Sequence, residues 1–391
     1  MRPIAHLVLF AVVLAALFTL RSAEAIEHNM AGSAQLDYGY VPTAPDMNAN
    51  QGQNTTFDGF TVEAALKLSV DVNEHVSSNV KVCIGCHGFE ADMFYFDFRA
   101  MDELNLRAGR FSASFGSFIL RHDPANQKLT DKPLPYDMGR MLRKTAWNNG
   151  VLPAPFPDNG IEVNGTHWFG DQAQLDYAAY AIMGFRNDTD PNPTDLNFQE
   201  AHPPSYWVDN NGRPTVGARI AMTVKTGSAS DVSFGASGMY GTYDPHNRFN
   251  YAILGGDLSV RIHRTNLRLE YLVRRQQMDV DDPALFKYAV PAQGGDFFAK
   301  HGAFAELEHP LVKDLDIIGR VDGMYRAGNV PLTGALSSSA SVIRETLGLA
   351  YAIDRNFRVK TSGEIWEFSG PDPTTGRKTE VSVHLGFVGT F

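Results

Sequence analysis

The chain has 391 residues, of which 43% are hydrophobic and 11% aromatic, and its formal net charge is -10. This charge argues against a nucleic-acid binder, and the apolar content argues against a disordered chain. Two cysteines are too few for a disulfide scaffold of this size. The length alone would suggest two domains, although large β-barrels form one, and 35 glycines with 21 prolines predict frequent turns.

The first 25 residues predict a secretory signal peptide. Arg2 precedes an apolar run from Leu7 to Leu20, and Ala23 and Ala25 form a small-residue cleavage pattern. This run is shorter than the roughly 20 residues that a membrane-spanning helix needs. Residues 26–391 are therefore expected to be exported and, because no later segment predicts a membrane helix, to be either soluble or a β-barrel.

Alternating apolar and polar residues predict β-strands along most of the exported chain. From Phe60 to Val72 every second residue is apolar, whereas the positions between them include Glu63, Lys67 and Asp71. Several segments match the length of about 9 to 11 residues that a tilted membrane strand needs. The sixteen predicted strands are 33–40, 57–72, 76–83, 88–101, 105–115, 161–170, 174–185, 214–227, 232–244, 250–264, 267–278, 300–312, 315–328, 341–354, 356–369 and 380–391.

The connections between these strands alternate in length. Short turns such as 73–75 and 265–266 alternate with long loops, of which 116–160 is the longest. Outer-membrane barrels have short periplasmic turns and longer external loops. We therefore predict an all-β fold, a transmembrane antiparallel β-barrel of about 16 strands over residues 26–391. A soluble β-sandwich is the alternative, but it would not need an apolar face on nearly every strand.

The segment Leu104–Phe111, with Phe115 and Gly116 close behind it, and the terminal strand ending in Phe391 resemble bacterial outer-membrane porins, particularly the phosphate-selective-porin-like branch. The resemblance implies a location in the bacterial outer membrane, contact with its lipid, passage of small hydrophilic solutes or anions, and frequent trimers. It also implies that the third external loop folds inward, which we assign to residues 116–160. The alternative for this loop is a surface cover with solvated charges.

Polar faces of the strands are expected to line the pore. Rings of arginine and lysine favour anions, whereas a salt-bridged wall of mixed charge would be less selective, and the sequence leaves both open. No nucleophile elbow, HExxH motif or convincing triad predicts an enzyme. The predicted basic pore-lining residues are Arg107, Arg219, Arg261, Arg268, Arg274, Arg320, Arg358 and Lys360.

Both cysteines lie in the segment 83–87, which reads Cys-Ile-Gly-Cys-His and matches the attachment pattern of c-type haem. In that chemistry Cys83 and Cys86 bond the haem vinyl groups, and His87 binds the iron. The strand pattern places this segment at an external hairpin tip. His122 is predicted as the second axial ligand of the iron, and Met93, Met138 and Met141 are the alternatives.

This chain resembles fused porin and cytochrome proteins, which combine a barrel with a haem motif. The resemblance implies a haem-binding role for Cys83, Cys86 and His87 only. Those proteins carry the motif before the barrel, whereas a predicted strand precedes it here. The main hypothesis is a barrel with one haem c that exchanges electrons with periplasmic or extracellular cytochromes. The alternatives are a passive diffusion porin in which Cys83 and Cys86 form a disulfide, and a metal-binding or redox-sensing role for the cysteines.

Overall fold

The structure is a computed structural model that describes residues 27–40, 60–85, 88–137, 150–186, 209–281, 288–291, 295–332, 335–371 and 376–391. The predicted signal peptide lies outside the described residues, as do Cys86, His87, Met138 and Met141. In the part that is described, no helix is both long and apolar enough to cross a membrane.

Sixteen antiparallel strands close into one barrel, which confirms the predicted fold class. The first strand pairs with both the second and the last, so the sheet has no free edge. The barrel strands are β1 (Glu27–Tyr40), β2 (Phe60–Asn73), β3 (Val76–Gly85), β4 (Gly88–Met101), β5 (Leu104–Ser112), β6 (Pro157–Phe169), β7 (Ala173–Ile182), β8 (Thr215–Gly227), β9 (Ser230–Thr242), β10 (Asn250–Ile262), β11 (Thr265–Gln277), β13 (Phe297–Val312), β14 (Leu315–Gly328), β16 (Ser341–Ala352), β17 (Phe357–Phe368) and β18 (Thr379–Thr390).

All sixteen predicted strands are present, and the structure adds features that alternation did not predict. The first strand begins at Glu27, six residues before its predicted start at Ser33. Two short strands, β12 (Tyr288–Ala289) and β15 (Val330–Pro331), pair with each other outside the barrel sheet. These strands have two residues each, which is too few to show any alternation.

The two faces of the barrel wall differ as the alternation predicts. On β16, the side chains of Ile343, Leu347 and Leu349 are exposed, whereas Arg344 and Thr346 between them are buried. Because successive side chains of a strand point to opposite faces, the apolar set covers the outside of the barrel and the polar set points inward. This is the arrangement of a barrel that crosses a lipid bilayer.

The long connection between β5 and β6 folds into the barrel, as predicted. We call its described residues 113–137 and 150–156 the inner loop. It contains three single-turn 3-10 helices, Ile119–Arg121, Pro124–Asn126 and Leu134–Tyr136. The third packs on β13 and β14, and the second packs on β1 and β18, all far from β5 in the sheet. Strands that distant can be reached only through the interior of the barrel.

Apolar side chains of the inner loop form a core inside the barrel. Phe115, Phe118 and Tyr136 are fully buried against inward-facing residues such as Phe304 and Leu272. Phe118 stacks on Tyr136 with ring centroids 4.9 Å apart. The lumen is therefore partly filled by packed side chains, and the loop has a defined position on the wall.

One connection departs from the alternation of short and long. The β3 and β4 strands meet at the end of the barrel that carries the long loops, yet Gly85 pairs with Gly88, so only residues 86–87 connect them. The haem-like motif therefore begins on a barrel strand and ends in this short connection, as the predicted strand boundaries indicated.

Candidate functional site: the barrel lumen and its inner loop

A buried ion-pair cluster fixes the inner loop to one side of the barrel. Asp131 of the loop accepts a bond from Arg320 Nη2 at 2.7 Å and also pairs with Arg344. The guanidinium of Arg344 also pairs with Asp322 Oδ2 at 2.6 Å and with Glu364 Oε1 at 3.5 Å. Each of these five side chains is at most 1% exposed. We call this group the loop clamp; removing one partner would leave the opposite charge buried and unpaired.

Glu270 of β11 forms a second attachment for the inner loop. Its carboxylate accepts hydrogen bonds from Ser117 N at 3.0 Å, Ser117 Oγ at 3.1 Å, Phe118 N at 3.2 Å and Tyr136 Oη at 2.5 Å. Burial and the adjacent Glu270 carboxylate raise the pKa of Tyr136 well above its usual range, so the phenol remains a donor. The attachment therefore joins two separate segments of the loop to one strand.

The third attachment lies on β3, beside the haem-like motif. Lys81 Nζ lies 2.5 Å from Asp123 Oδ1 of the loop, 2.8 Å from Asp92 Oδ2 of β4 and 3.2 Å from His122 Nε2. Burial raises the pKa of Asp123, whereas the charge and hydrogen bond of Lys81 lower it, and its net pKa lies below the usual range. The Asp123 carboxylate is thus charged and holds the loop against Lys81.

Both ring nitrogens of His122 are occupied in this arrangement. Nδ1 lies 2.6 Å from the carbonyl oxygen of Ile119, which requires a proton on Nδ1, and Nε2 then accepts from Lys81. Burial, followed by the charge of Lys81, lowers the pKa of His122. The imidazole is therefore neutral and structural in the described conformation. Iron ligation by His122, predicted from sequence, would require the Lys81 contact to break.

Cys83 is the one cysteine of the motif that the structure describes. It occurs as a free thiol on the inner face of β3, and its Sγ donates to Asp92 Oδ2 at 3.6 Å. If Cys83 held a haem through a thioether, its sulfur would no longer carry the hydrogen that it donates to Asp92. Met93, the alternative axial ligand, packs against the apolar core inside the barrel. Among the described residues, no group of three or more His, Cys, Asp or Glu side chains could hold a metal ion.

The eight predicted basic residues all lie on the inner face, but their positive charges are largely neutralised by partners on the wall. Arg219 Nη1 lies 2.6 Å from Asp257, and Arg107 Nε lies 2.8 Å from Asp97. Arg320 belongs to the loop clamp. Arg268 pairs with Glu306 and Glu308, and the half-exposed Arg261 pairs with Asp231 near a short turn.

The remaining three of these basic residues donate to the inner loop. Lys360 Nζ lies 2.7 Å from the carbonyl oxygen of Pro124, Arg358 Nη1 lies 3.3 Å from that of Ala125, and Arg274 Nη1 lies 3.2 Å from that of Val151. Their hydrogen bonds satisfy backbone oxygens that would otherwise be buried without partners. The wall therefore carries mixed, paired charge in place of a free basic ring.

Sequence reasoning missed several residues that hold the loop. Arg344, Lys81 and Asp131 were not among the predicted site residues. Strand alternation does place Arg344 and Lys81 on the inner face, so this signal was present. Their partners in the inner loop, Asp123 for Lys81 and Asp131 for Arg344, lie more than forty positions away, and no spacing in the sequence indicates these contacts.

Comparisons with known proteins find similar folds but no similar sequence. No family model matches the chain, and no curated protein sequence matches it. Solved structures match along almost its whole length. An anion-selective porin from Comamonas acidovorans has a TM-score of 0.52 at 10% identity, covering 94% of this chain and 100% of that one.

Two further solved structures give the same result. OmpF of Salmonella typhi, in a complex with daunomycin, has a TM-score of 0.55 at 10% identity and covers 94% of this chain and 98% of its own. The fold is that of a porin barrel. The trimer form of OmpT from Vibrio cholerae matches at a TM-score of 0.51 and 7% identity, covering 94% and 100%. With its apolar outer face, this chain is a bacterial outer-membrane protein.

Proposed function

We propose that the protein is a passive diffusion channel for small hydrophilic solutes across the bacterial outer membrane. The observation that carries this proposal is the inner loop, which the loop clamp, Glu270 and Lys81 hold against the wall inside a closed barrel. A loop fixed in this way narrows a lumen while leaving part of its wall accessible to water. Proteins with similar folds, including an anion-selective porin, are themselves channels, which supports the same function.

The paired charges of the wall favour weak ion selectivity in this channel. A strong anion channel needs unpaired basic groups facing the solute, whereas Arg219, Arg268 and Arg320 lie within 4 Å of carboxylates. We therefore propose a salt-bridged wall with at most a modest preference for anions, which is one of the two readings that the sequence left open.

Planar-bilayer recording of the purified protein tests the channel function. Stepwise conductance increases in KCl, with a small reversal potential in a salt gradient, are the expected result. A heat-denatured sample of the same preparation is the control. If folded protein inserts without conductance steps, the diffusion-channel proposal is wrong.

We also propose a homotrimer, because a similar fold has been solved in trimer form. Chemical crosslinking in mild detergent, followed by mass measurement, should give a species three times the mass of the chain. A single-chain mass without crosslinked products would contradict the proposal, whereas the channel function of one barrel would be unaffected.

Electron transfer through one covalent haem c is the second candidate, and the Cys-Ile-Gly-Cys-His segment is the observation that favours it. One haem cannot cross a membrane core of about 30 Å, so a periplasmic or extracellular cytochrome would have to complete the path. Cys83 would supply one thioether from the inner face of β3, beside Asp92.

A haem-stained denaturing gel with intact mass spectrometry distinguishes the two candidates. Covalent haem would add about 616 Da, and a Cys83→Ser, Cys86→Ser variant should lose both the stain and the added mass. A mass about two hydrogens lighter than the reduced chain would instead show the disulfide and exclude the covalent haem. Conductance of the same sample should not depend on which result is found.

A further inference from the structure

The inner faces of the barrel strands differ in how much of them the inner loop covers. Among the described strands of the barrel, only β2 contains no buried residue. Its apolar positions, including Val62 and Leu66, face outward, and on its inner face Lys67 is exposed and Ser69 is partly exposed. By contrast, inward residues of the nearby strands β16, β17 and β18 are covered: Arg344 is 0%, Lys360 1% and Ser382 3% exposed.

The inner loop is attached to both strands that flank β2. On β3 it contacts Lys81 through Asp123, and on β1 the side-chain nitrogen of Gln35 donates to the carbonyl oxygen of Thr130 at 3.2 Å. The loop thus spans the wall on either side of β2, whose inner-face side chains remain accessible. We propose that the solute path runs along the inner face of β2 and that Lys67 is a specificity-determining residue of this path, an inference that rests on the proposed channel function.

Lys67 and its neighbour Lys81 on β3 differ in their ionic surroundings. Lys67 lies directly opposite Lys81 in the β2 and β3 register, so both side chains point inward. Lys81 is neutralised by Asp92 and Asp123, whereas Lys67 has no ion pair with any described residue. Lys67 is exposed and is the only basic residue of β2. Its ammonium group therefore attracts small anions, such as chloride, and repels cations at this level of the path.

Acidic residues limit the preference that Lys67 provides. Glu63 and Asp71 lie four positions before and after it on the same face, about 13 Å away along an extended strand. At physiological ionic strength this distance exceeds the Debye length of about 8 Å, so each charge acts on a passing ion largely by itself. Asp71 is moreover paired with Arg99, whose Nη2 lies 3.6 Å from Asp71 Oδ1, so changing the charge of Lys67 should alter selectivity.

Charge substitution of Lys67 tests the assignment in the full-length protein. In a KCl gradient, Lys67→Gln should lower the ratio of chloride to potassium permeability by about twofold, and Lys67→Glu should lower it further, most clearly at low salt. Lys313→Glu is the matched control, because its side chain is 92% exposed in the turn between β13 and β14, away from the lumen. If Lys67→Glu changes the ratio no more than Lys313→Glu does, the assignment is wrong.

Thiol accessibility tests the path independently of charge selectivity. In a Cys83→Ser, Cys86→Ser background, Lys67→Cys should react with a cationic methanethiosulfonate reagent and lose conductance, because its thiolate displaces sulfinate and forms a mixed disulfide in the path. Ser382→Cys, buried on β18, should react at least tenfold more slowly. Equal rates at both positions, or modification of Lys67→Cys without loss of conductance, would overturn the path.

The channel function and the path along β2 can be contradicted independently of each other. A wild-type protein that inserts without conductance overturns the channel function itself. If the wild-type protein conducts but the Lys67 variants have the same ion selectivity, only the path along β2 is wrong. The charge variants keep both native cysteines, so their result does not depend on how the cysteine-free background behaves.

Discussion

Arg344 and Lys67 are basic residues that point inward from the same barrel, yet their surroundings are opposite. Arg344 on β16 is fully buried and contacts the carboxylates of Asp131, Asp322 and Glu364. Lys67 on β2 is exposed and has no ion pair within the described chain. An inward position therefore does not by itself make a residue part of the solute path. Inward residues that the inner loop covers hold the loop in place, whereas those that it leaves open can affect ion selectivity.

The difference has an energetic basis. Charges on the covered wall have lost their water, so each needs a partner of opposite sign or a hydrogen-bond acceptor. Lys360, for example, donates to Gln35, Pro124 and Leu129, none of which carries a charge. On the open wall a charge keeps its hydration and can remain unpaired.

Arg344→Ala should have the largest effect, because it leaves Asp322, Asp131 and Glu364 buried with fewer partners. Loss of one side of a buried ion pair costs about 3–5 kcal/mol, so the inner loop should leave the wall of β14 and β16. The expected readouts are fast proteolytic cleavage between residues 113 and 137 and a larger, noisier conductance in bilayers. Asp131→Asn, which removes the loop's own charge, should act in the same direction.

A variant that simply fails to fold would not yield channels at all, so cleavage is compared only among variants that still migrate as folded barrels on unheated gels. Arg261→Ala is the matched control, because Arg261 also points inward and pairs with Asp231 of β9, which is not part of the loop. If Arg261→Ala and Arg344→Ala release the loop equally, the loop clamp does not have the special role assigned to it.

Sequence patterns predicted the barrel but not the attachment of the loop. Alternation along β2 or β16 depends only on which face meets lipid, so the number of strands and the face of each residue are local properties of the chain. The inward loop followed from its length and from the porin resemblance. The contact of Asp131 with Arg320 joins residues 189 positions apart, which no periodicity records. For the same reason Arg320 was predicted to line the pore, although its side chain is 1% exposed and holds the loop.

Acidification should loosen the attachment at β3, with a smaller effect than loss of Arg344. The pKa of His122 lies below its ordinary value of 6.5, so the unfolded or released loop binds a proton more readily than the docked one does. Stability of the docked loop is therefore full above about pH 6.5 and falls as the pH decreases below it. Protonated His122 would also face the ammonium of Lys81, 3.2 Å from Nε2 in the neutral state.

Proteolysis of the loop at pH 7.5 and at pH 5 measures this effect, with a fewfold faster cleavage expected at the lower pH. His122→Gln is the control, since a glutamine oxygen can accept from Lys81 but does not titrate. Asp123 should not contribute in this range, because its pKa is lowered below 3.8 and its carboxylate stays charged. Equal acid sensitivity of His122→Gln and the wild type would assign the effect to other groups.

Arg261→Gln should have the smallest effect, because its charge belongs to neither the covered wall nor the path along β2. Arg261 pairs with Asp231 at the barrel end that carries the short turns 228–229 and 263–264, and its side chain is 53% exposed. Exposed ion pairs contribute about 0–1 kcal/mol, since water and salt screen them and the side chains must be ordered. The temperature at which the folded band is lost on denaturing gels should therefore shift little, and loop cleavage should match the wild type. An effect on cleavage as large as that of Arg344→Ala would show that the loop's position depends on distant wall charges, and coverage would then no longer explain which inward charges hold it.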